Sequence, residues 1–199
     1  ATDLSAFYMN VVKDRLYADQ PDSPERRSTQ TALHAICSAL CRMLAPVLSH
    51  TAEEAWQLLP GATGAYPSVE LAPFPVVDAA HTNPALSVQW DGFFAVRDRV
   101  NKALEEAKAN GIKKALEARV TLIGAFPALN GFTNDELTML FNVSDTRREA
   151  ETGNVERIEI GGAVGSKCPR CWLVKRDIGR DPLFRDICVR CAEAVRALE

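Results

Sequence analysis

The sequence predicts a mainly α fold: an antiparallel helical bundle, followed by a small α/β unit and a C-terminal ribbon stapled by four cysteines. Three observations lead there. Apolar residues recur at intervals of three and four through most of the first 110 positions, the spacing of amphipathic helices. After Gly111 the texture changes to short alternating runs divided by turn residues, the pattern of strands. The last thirty-two residues then hold two Cys-x-x-Cys pairs, Cys168-Pro169-Arg170-Cys171 and Cys188-Val189-Arg190-Cys191, with sixteen residues between them. A helical domain over residues 1–110, an α/β junction unit over 111–165 and the ribbon over 166–199 follow from these shifts.

Leu4, Phe7, Tyr8, Val11, Val12 and Leu16 form the stripe of a first helix, stopped by Pro21 and Pro24. Asp3 opens directly into this core-forming helix, as expected of a piece of a longer chain. Ser23 and Pro24 suit the N-cap and first position of a second helix that carries Leu33, Ile36, Cys37, Leu40, Met43 and Leu44 toward Pro46. Thr51 with Glu54 reads as a capping box opening a third helix through Trp56 to the Pro60-Gly61 stop. Glu53 and Glu54 would then complement the helix dipole from the first turn. These three helices are expected to pack antiparallel. Residues 61–83 read as a long connection with a short extended piece at 68–71.

A fourth helix from Pro84 to Ala109 buries Trp90, Phe93, Phe94, Val96, Val100 and Leu104, and Asn110-Gly111 ends it. Strands are expected over 116–123 and 155–160, a short helix over 134–140 capped by Thr133, and a short strand at 141–143. The stretch from Gly161 to Lys167 fits neither a phosphate-binding loop nor a dinucleotide fingerprint, and reads as a flexible link into the ribbon.

Two residues between cysteines let a tight knuckle aim two thiolates at one cation, and two such knuckles complete a tetrahedron of sulfur. The spacing predicts one structural Zn²⁺ on Cys168, Cys171, Cys188 and Cys191. Four sulfurs leave no open position for water or substrate, so the ion holds a fold and performs no chemistry. Two disulfides are the alternative, and they need an oxidising compartment. The opening ATDLSAFYMN has neither the basic nor the apolar region of a signal peptide. A ribbon of this size lies below the ~40 residues at which an apolar core suffices alone. Metal binding worth roughly 10–16 kcal/mol closes that gap.

The 199 residues are 47% apolar and 25% charged, enough for a real core. No apolar run approaches the ~18–20 residues of a membrane span, so no membrane partner is expected and the cytoplasm is the expected location. Net charge is −3, yet residues 166–199 hold eight basic against five acidic residues, leaving fifteen against twenty-one elsewhere. A phosphate-tracking surface on the ribbon is therefore compatible with an acidic chain. The three histidines, His34, His50 and His81, lie in no nucleophile elbow or zincin helix, and no acid-base or nucleophilic constellation stands out. His34, Cys37 and Cys41 share a helical face, but the surrounding Leu33, Ile36, Leu40 and Leu44 make core packing the expected role.

Several passages together resemble one family. Asp3-Leu4-Ser5-Ala6-Phe7-Tyr8 with Lys13-Asp14-Arg15-Leu16-Tyr17, then Arg27-Ser28-Thr29-Gln30-Thr31-Ala32-Leu33, Leu44-Ala45-Pro46-Val47-Leu48 and Thr51-Ala52-Glu53-Glu54-Ala55-Trp56 are similar to the helical anticodon-binding region of bacterial isoleucyl-tRNA synthetases. Ser68-Val69-Glu70-Leu71, Lys114-Ala115-Leu116-Glu117-Ala118 and Lys167-Cys168-Pro169-Arg170-Cys171-Trp172 continue the likeness, the last to the family's carboxy-terminal zinc module. The resemblance implies a chain that positions tRNA(Ile) for aminoacylation carried out by the remainder of the synthetase, where ATP is used. The His-Ile-Gly-His and Lys-Met-Ser-Lys-Ser types of motif for that chemistry do not occur in this sequence, so no catalytic residue is carried over. A histidine often found shortly after the tryptophan is also absent, Leu173-Val174-Lys175 standing there.

On that resemblance, the candidate phosphate or base contacts are Lys13, Arg15, Arg26, Arg27, Lys113, Lys114, Arg170, Trp172, Lys175 and Arg190. Trp172 either stacks on a base or shields the zinc knuckle. Tyr8 and Tyr17 are expected in the core. A zinc-ribbon DNA-binding module or a protein-interaction module is the other class that accounts for the ribbon.

Overall fold

The computed structural model describes residues 2–151 and 155–198. It is mainly helical with two small sheets, and its contacts gather into two units, Asp22–Thr82 on one side and Ala1–Pro21 with Asn83–Glu199 on the other. These boundaries differ from the three-part division read in the sequence. The first helical segment joins the unit of residues 83–199, and the helices that follow it form a unit of their own.

In the unit Asp22–Thr82, α3 (Pro24–Leu44) begins as expected: the Ser23 hydroxyl accepts from the Arg26 amide at 3.2 Å, with Pro24 in the first turn. It packs on α4 (Ser49–Leu58) through Cys41, Ala45, Ala52 and Trp56, small residues that let two backbones approach around one indole. Cys41 is buried and Cys37 packs against the same cluster, whereas His34 is exposed, its imidazole 2.9 Å from the Pro60 carbonyl, and Leu40 and Leu44, expected in the core, are exposed too. The Thr51–Glu54 capping box does not form. Helix α4 starts at Ser49, and the Ala52 amide already donates to the Leu48 carbonyl at 2.8 Å, because Ala45–Leu48 stays in turn geometry between the helices.

Glu53 therefore lies inside the helix and not at its dipole. It accepts from the Val69 amide at 2.8 Å and from the Ser68 hydroxyl at 3.0 Å, anchoring a 3₁₀ turn, Val69–Leu71, where an extended piece was expected. The long connection also contains α5 (Ala62–Ala65), and Tyr66 fixes it by accepting from the Trp56 indole N–H at 3.0 Å.

In the other unit, α6 (Pro84–Lys108) is capped by Asn83, which accepts from the Leu86 amide at 3.0 Å. Its buried stripe of Phe93, Val96, Val100 and Leu104 covers a three-stranded sheet of β1 (Ala118–Ile123), β2 (Asp145–Glu149) and β3 (Arg157–Gly162), in the order β2-β1-β3. The central β1 pairs parallel with β2 and antiparallel with β3, and Val120 and Leu122 are wholly buried. Between β1 and β2 runs α7 (Asn134–Phe141), whose capping box joins the Thr133 hydroxyl, the Glu136 amide and the Glu136 carboxylate.

Residues 141–143 form no strand: Phe141 closes α7, Asn142 turns left-handed at φ 57°, and β2 begins at Asp145. The Gly161–Lys167 stretch is no flexible link either. Gly161 and Gly162 are paired in β3, where a Cβ on Gly161 would come 3.3 Å from the Arg119 guanidinium. Gly165, at φ 137°, admits the Lys175 carbonyl at 2.3 Å from where a Cβ would stand.

The first segment begins π-helical (Thr2–Tyr8) and continues as α1 (Met9–Val11) and α2 (Lys13–Ala18). The Phe7 ring lies 4.9 Å from Phe94, 6.0 Å from Trp90 and 6.1 Å from Phe93 between centroids, the separations of favourable aromatic pairs. That cluster draws the segment onto α6, which explains its departure from the expected three-helix arrangement. The ribbon consists of β4 (Ser166–Lys167) paired with β5 (Val174–Lys175), then α8 (Val189–Arg196). Among the described residues no helix is long and apolar enough to cross a membrane.

Phe93→Ala is expected to destabilise its unit by about 3–5 kcal/mol, the cost of a large cavity in a site with no room to collapse, as read by urea unfolding. The Val69 amide chiefly, then Gln57 and Ser68, hold the Glu53 carboxyl below its ordinary range against a small opposing burial effect. A lowered folded pKa means that the stabilisation is present above the unfolded value of about 4.3 and is lost as pH falls through the folded one. The protection of the Val69 amide, its exchange rate relative to the intrinsic rate at the same pH, should therefore fall on acidification in wild type and be low at all pH values in Glu53→Ala.

Candidate metal centre and adjoining cleft

Each knuckle is built by backbone first. The Cys168 amide donates to the Leu173 carbonyl and the Trp172 amide to the Cys168 carbonyl, both at 2.9 Å, while Trp172 adopts a left-handed φ of 66°. The second knuckle opens α8, with Cys188 at the N-cap and Cys191 one turn on, so that both face the first pair. The four Sγ atoms lie within 4.8 Å of one another, and Cys171 and Cys188 are 3.9 Å apart. A tetrahedron with Zn–S bonds of about 2.3 Å has sulfur edges of about 3.8 Å, so the donor set fits such an ion.

Burial and mutual contact polarise the cluster. Hydrogen bonding with Cys171 and then Cys188 pulls the Cys191 thiol down to about 3, against burial and with help from Arg170. The same network, led by Cys171 and Cys191, pushes the Cys188 thiol up. Without a cation the network thus favours a thiolate at Cys191 and a neutral thiol at Cys188. Behind them, Asp181 accepts from Arg196 at 2.5 Å and from the Leu183 and Phe184 amides, tying the returning loop to the last turn of α8.

Beside the cysteines lies a cleft of about 860 Å³. One wall is the α1–α2 segment, another is α7 with its cap, and the third is the first knuckle with Arg190; Val11, Leu116, Met139, Val143 and Leu173 supply apolar lining. Six of the ten residues singled out in the sequence line it: Lys13, Arg15, Arg170, Trp172, Lys175 and Arg190. Arg26 and Arg27 lie in the first turn of α3, in the other unit, and Lys113 and Lys114 are exposed ahead of β1.

The six do not play one part. Lys13 is exposed and Trp172 is 62% exposed, which leaves the indole face open instead of sealed over the sulfurs. Arg170 and Arg190 turn inward. Arg190 forms a two-pronged pair with Asp14 at 2.6 and 2.8 Å and reaches Asp19 at 3.1 Å. Arg170 donates to the Ala18 carbonyl at 2.5 Å. Sequence reasoning missed Asp14 and Asp19, and it placed Tyr17 in the core, whereas that ring lines the cleft and is 78% exposed. The usable signal was the arginine one residue before the second cysteine in both knuckles.

A helical segment, a small mixed sheet and a four-cysteine cluster follow one another in this order. The model of the anticodon-binding domain of tRNA ligases matches residues 1–122, and the chain belongs to that family. Its curated relatives include isoleucine–tRNA ligases from Carboxydothermus hydrogenoformans, 40% identical over 99% of the chain, and from Brevibacillus brevis, 36% identical over 97%. The isoleucine–tRNA ligase of Kosmotoga olearia is 36% identical over 98% of the chain. The chain spans 22% of the length of each of these relatives.

Proposed function

We propose that this chain is the anticodon-binding part of a cytoplasmic isoleucyl-tRNA synthetase, and that it positions tRNA(Ile) while the remainder of the synthetase performs the ATP-dependent aminoacylation. The observation that carries this reading is the cleft of an anticodon-domain relative, in which an exposed indole, Trp172, faces Lys13, Arg15 and Lys175. An unpaired base stacks on an aromatic face while cations follow the backbone, the usual economy of single-stranded RNA recognition. Arg26, Arg27, Lys113 and Lys114 extend the candidate surface outside the cleft. Cys168, Cys171, Cys188 and Cys191 hold one Zn²⁺, which offsets part of the clustered thiolate charge and supplies no reactive position.

Binding of tRNA(Ile), an anticodon-swapped tRNA and duplex DNA across a salt series tests the reading and separates it from a DNA-binding or protein-interaction module. Trp172→Ala is expected to lose roughly 1–3 kcal/mol of tRNA affinity through the missing stack. Lys13→Ala and Lys175→Ala should each lower the salt slope by about 0.7–0.9. Unchanged affinity and slope in all three variants would exclude the cleft as the RNA site.

Cys168→Ser combined with Cys171→Ser is expected to abolish metal binding and unfold the ribbon, with the thermal transition of the Asp22–Thr82 unit retained. Elemental analysis of the purified variant decides this: stoichiometric metal would refute the site.

A further inference from the structure

The two knuckles share a feature that coordination does not require. In each, an arginine stands one residue before the second cysteine, and both arginines grip the same short helix, α2, from across the cleft. Arg170 donates through Nη1 to the Ala18 carbonyl at 2.5 Å and through Nη2 to the Tyr17 carbonyl at 3.4 Å. These are last-turn carbonyls, which have no partner inside a helix and sit at the negative end of its dipole. Arg190 spans both oxygens of Asp14 and adds Asp19, the residue that ends the helix. A bidentate charged pair of this kind fixes orientation as well as distance.

We propose that Arg170 and Arg190 are positioning residues, a two-armed latch through which metal occupancy and the geometry of the cleft become one equilibrium. The metal fixes Cys171 and Cys191, and their neighbouring arginines are thereby placed together on α2. With the latch closed, Trp172 and Lys175 stand opposite Lys13 and Arg15. With the metal gone, the knuckles no longer hold the two guanidinium groups at one spacing, and the ribbon wall separates from the α2 wall. Coupling is reciprocal, so docking of α2 must also tighten metal binding. Asp14, about 150 residues away in sequence from the first cysteine, thus governs the stability of a site it does not touch. The inference rests on the proposed metal site and not on the proposed RNA.

The test is equilibrium competition for zinc between the chain and a chromogenic chelator at fixed pH, for wild type, Asp14→Ala, Arg190→Ala and the double variant, with Glu105→Ala as a surface control. Each single variant is expected to bind metal roughly tenfold more weakly, within the 5–150-fold span of typical couplings. The double variant should bind no more weakly than Arg190→Ala, since both changes open the same arm. Arg190→Lys, which keeps the charge without the fork, should fall between wild type and Arg190→Ala, and it decides the matter if Asp14→Ala does not fold. Hydrogen exchange over residues 13–18 should rise when metal is stripped from wild type and be high already in loaded Asp14→Ala. Wild-type zinc affinity in Asp14→Ala and Arg190→Lys, or strictly additive effects in the double variant, would overturn the latch. A wild-type chain that takes up no stoichiometric zinc would instead overturn the metal site, and the latch with it.

Discussion

The β2 approach and the ribbon hairpin beside the cleft hang from the central strand β1. It is paired on both edges and covered by α6, so its backbone has no freedom to drift. From its first residues the neighbouring pieces are hung in turn. The Ser144 amide donates to the Ala118 carbonyl, the Ala163 amide to the Glu117 carbonyl, and the Ser144 hydroxyl to the Leu116 carbonyl at 2.5 Å. That hydroxyl also accepts from the Val174 amide at 2.7 Å. A single small side chain thus joins the approach to β1, the approach to β2 and the ribbon hairpin. Because each of these groups is partly buried, losing one partner would leave another unsatisfied, and the arrangement stays in register.

The ribbon is the part that depends most on such borrowed order. Its apolar cluster consists of little more than the cysteines with Ile187 and Ala192, flanked by Ile178, Phe184 and Val195. A core of that size cannot balance the conformational entropy of thirty residues. Three supports make up the difference: the sulfur cluster, the Ser144 bridge to the sheet, and the arginine contacts with α2. Each acts on a different edge of the ribbon, so each restrains motions that the others leave open.

Much of this was legible in the sequence, and the losses have physical reasons. Ser23-Pro24, Thr133 with Glu136, and the paired Cys-x-x-Cys knuckles were readable because their partners are close in the chain and their geometry follows from spacing. The stripe through Phe7 and Val11 announced a buried face, but periodicity cannot say what covers it, and the answer was α6 and not the next two helices. Strand β2 reads Asp-Thr-Arg-Arg-Glu, with none of the apolar alternation of a strand; it forms because β1 offers a parallel edge and α7 returns the chain to it. Thr51 and Glu54 had the letters of a cap, but Ala45–Leu48 never left turn geometry. Arg170 and Arg190 had the same composition signature as a solvated phosphate contact, and only their long-range carboxylate and carbonyl partners distinguish the two roles.

Trp172 is one of two described non-glycine residues with a left-handed backbone, and it follows directly on Cys171. Glycine adopts this conformation at little cost, whereas a side chain with a Cβ must be held there by its surroundings. The ring gains little inside the protein in return, since most of it faces solvent. Local stability and outward display therefore pull in opposite directions at this position. A ribbon improved for folding alone would drift toward glycine here and lose the one large aromatic surface that its first knuckle shows to the outside.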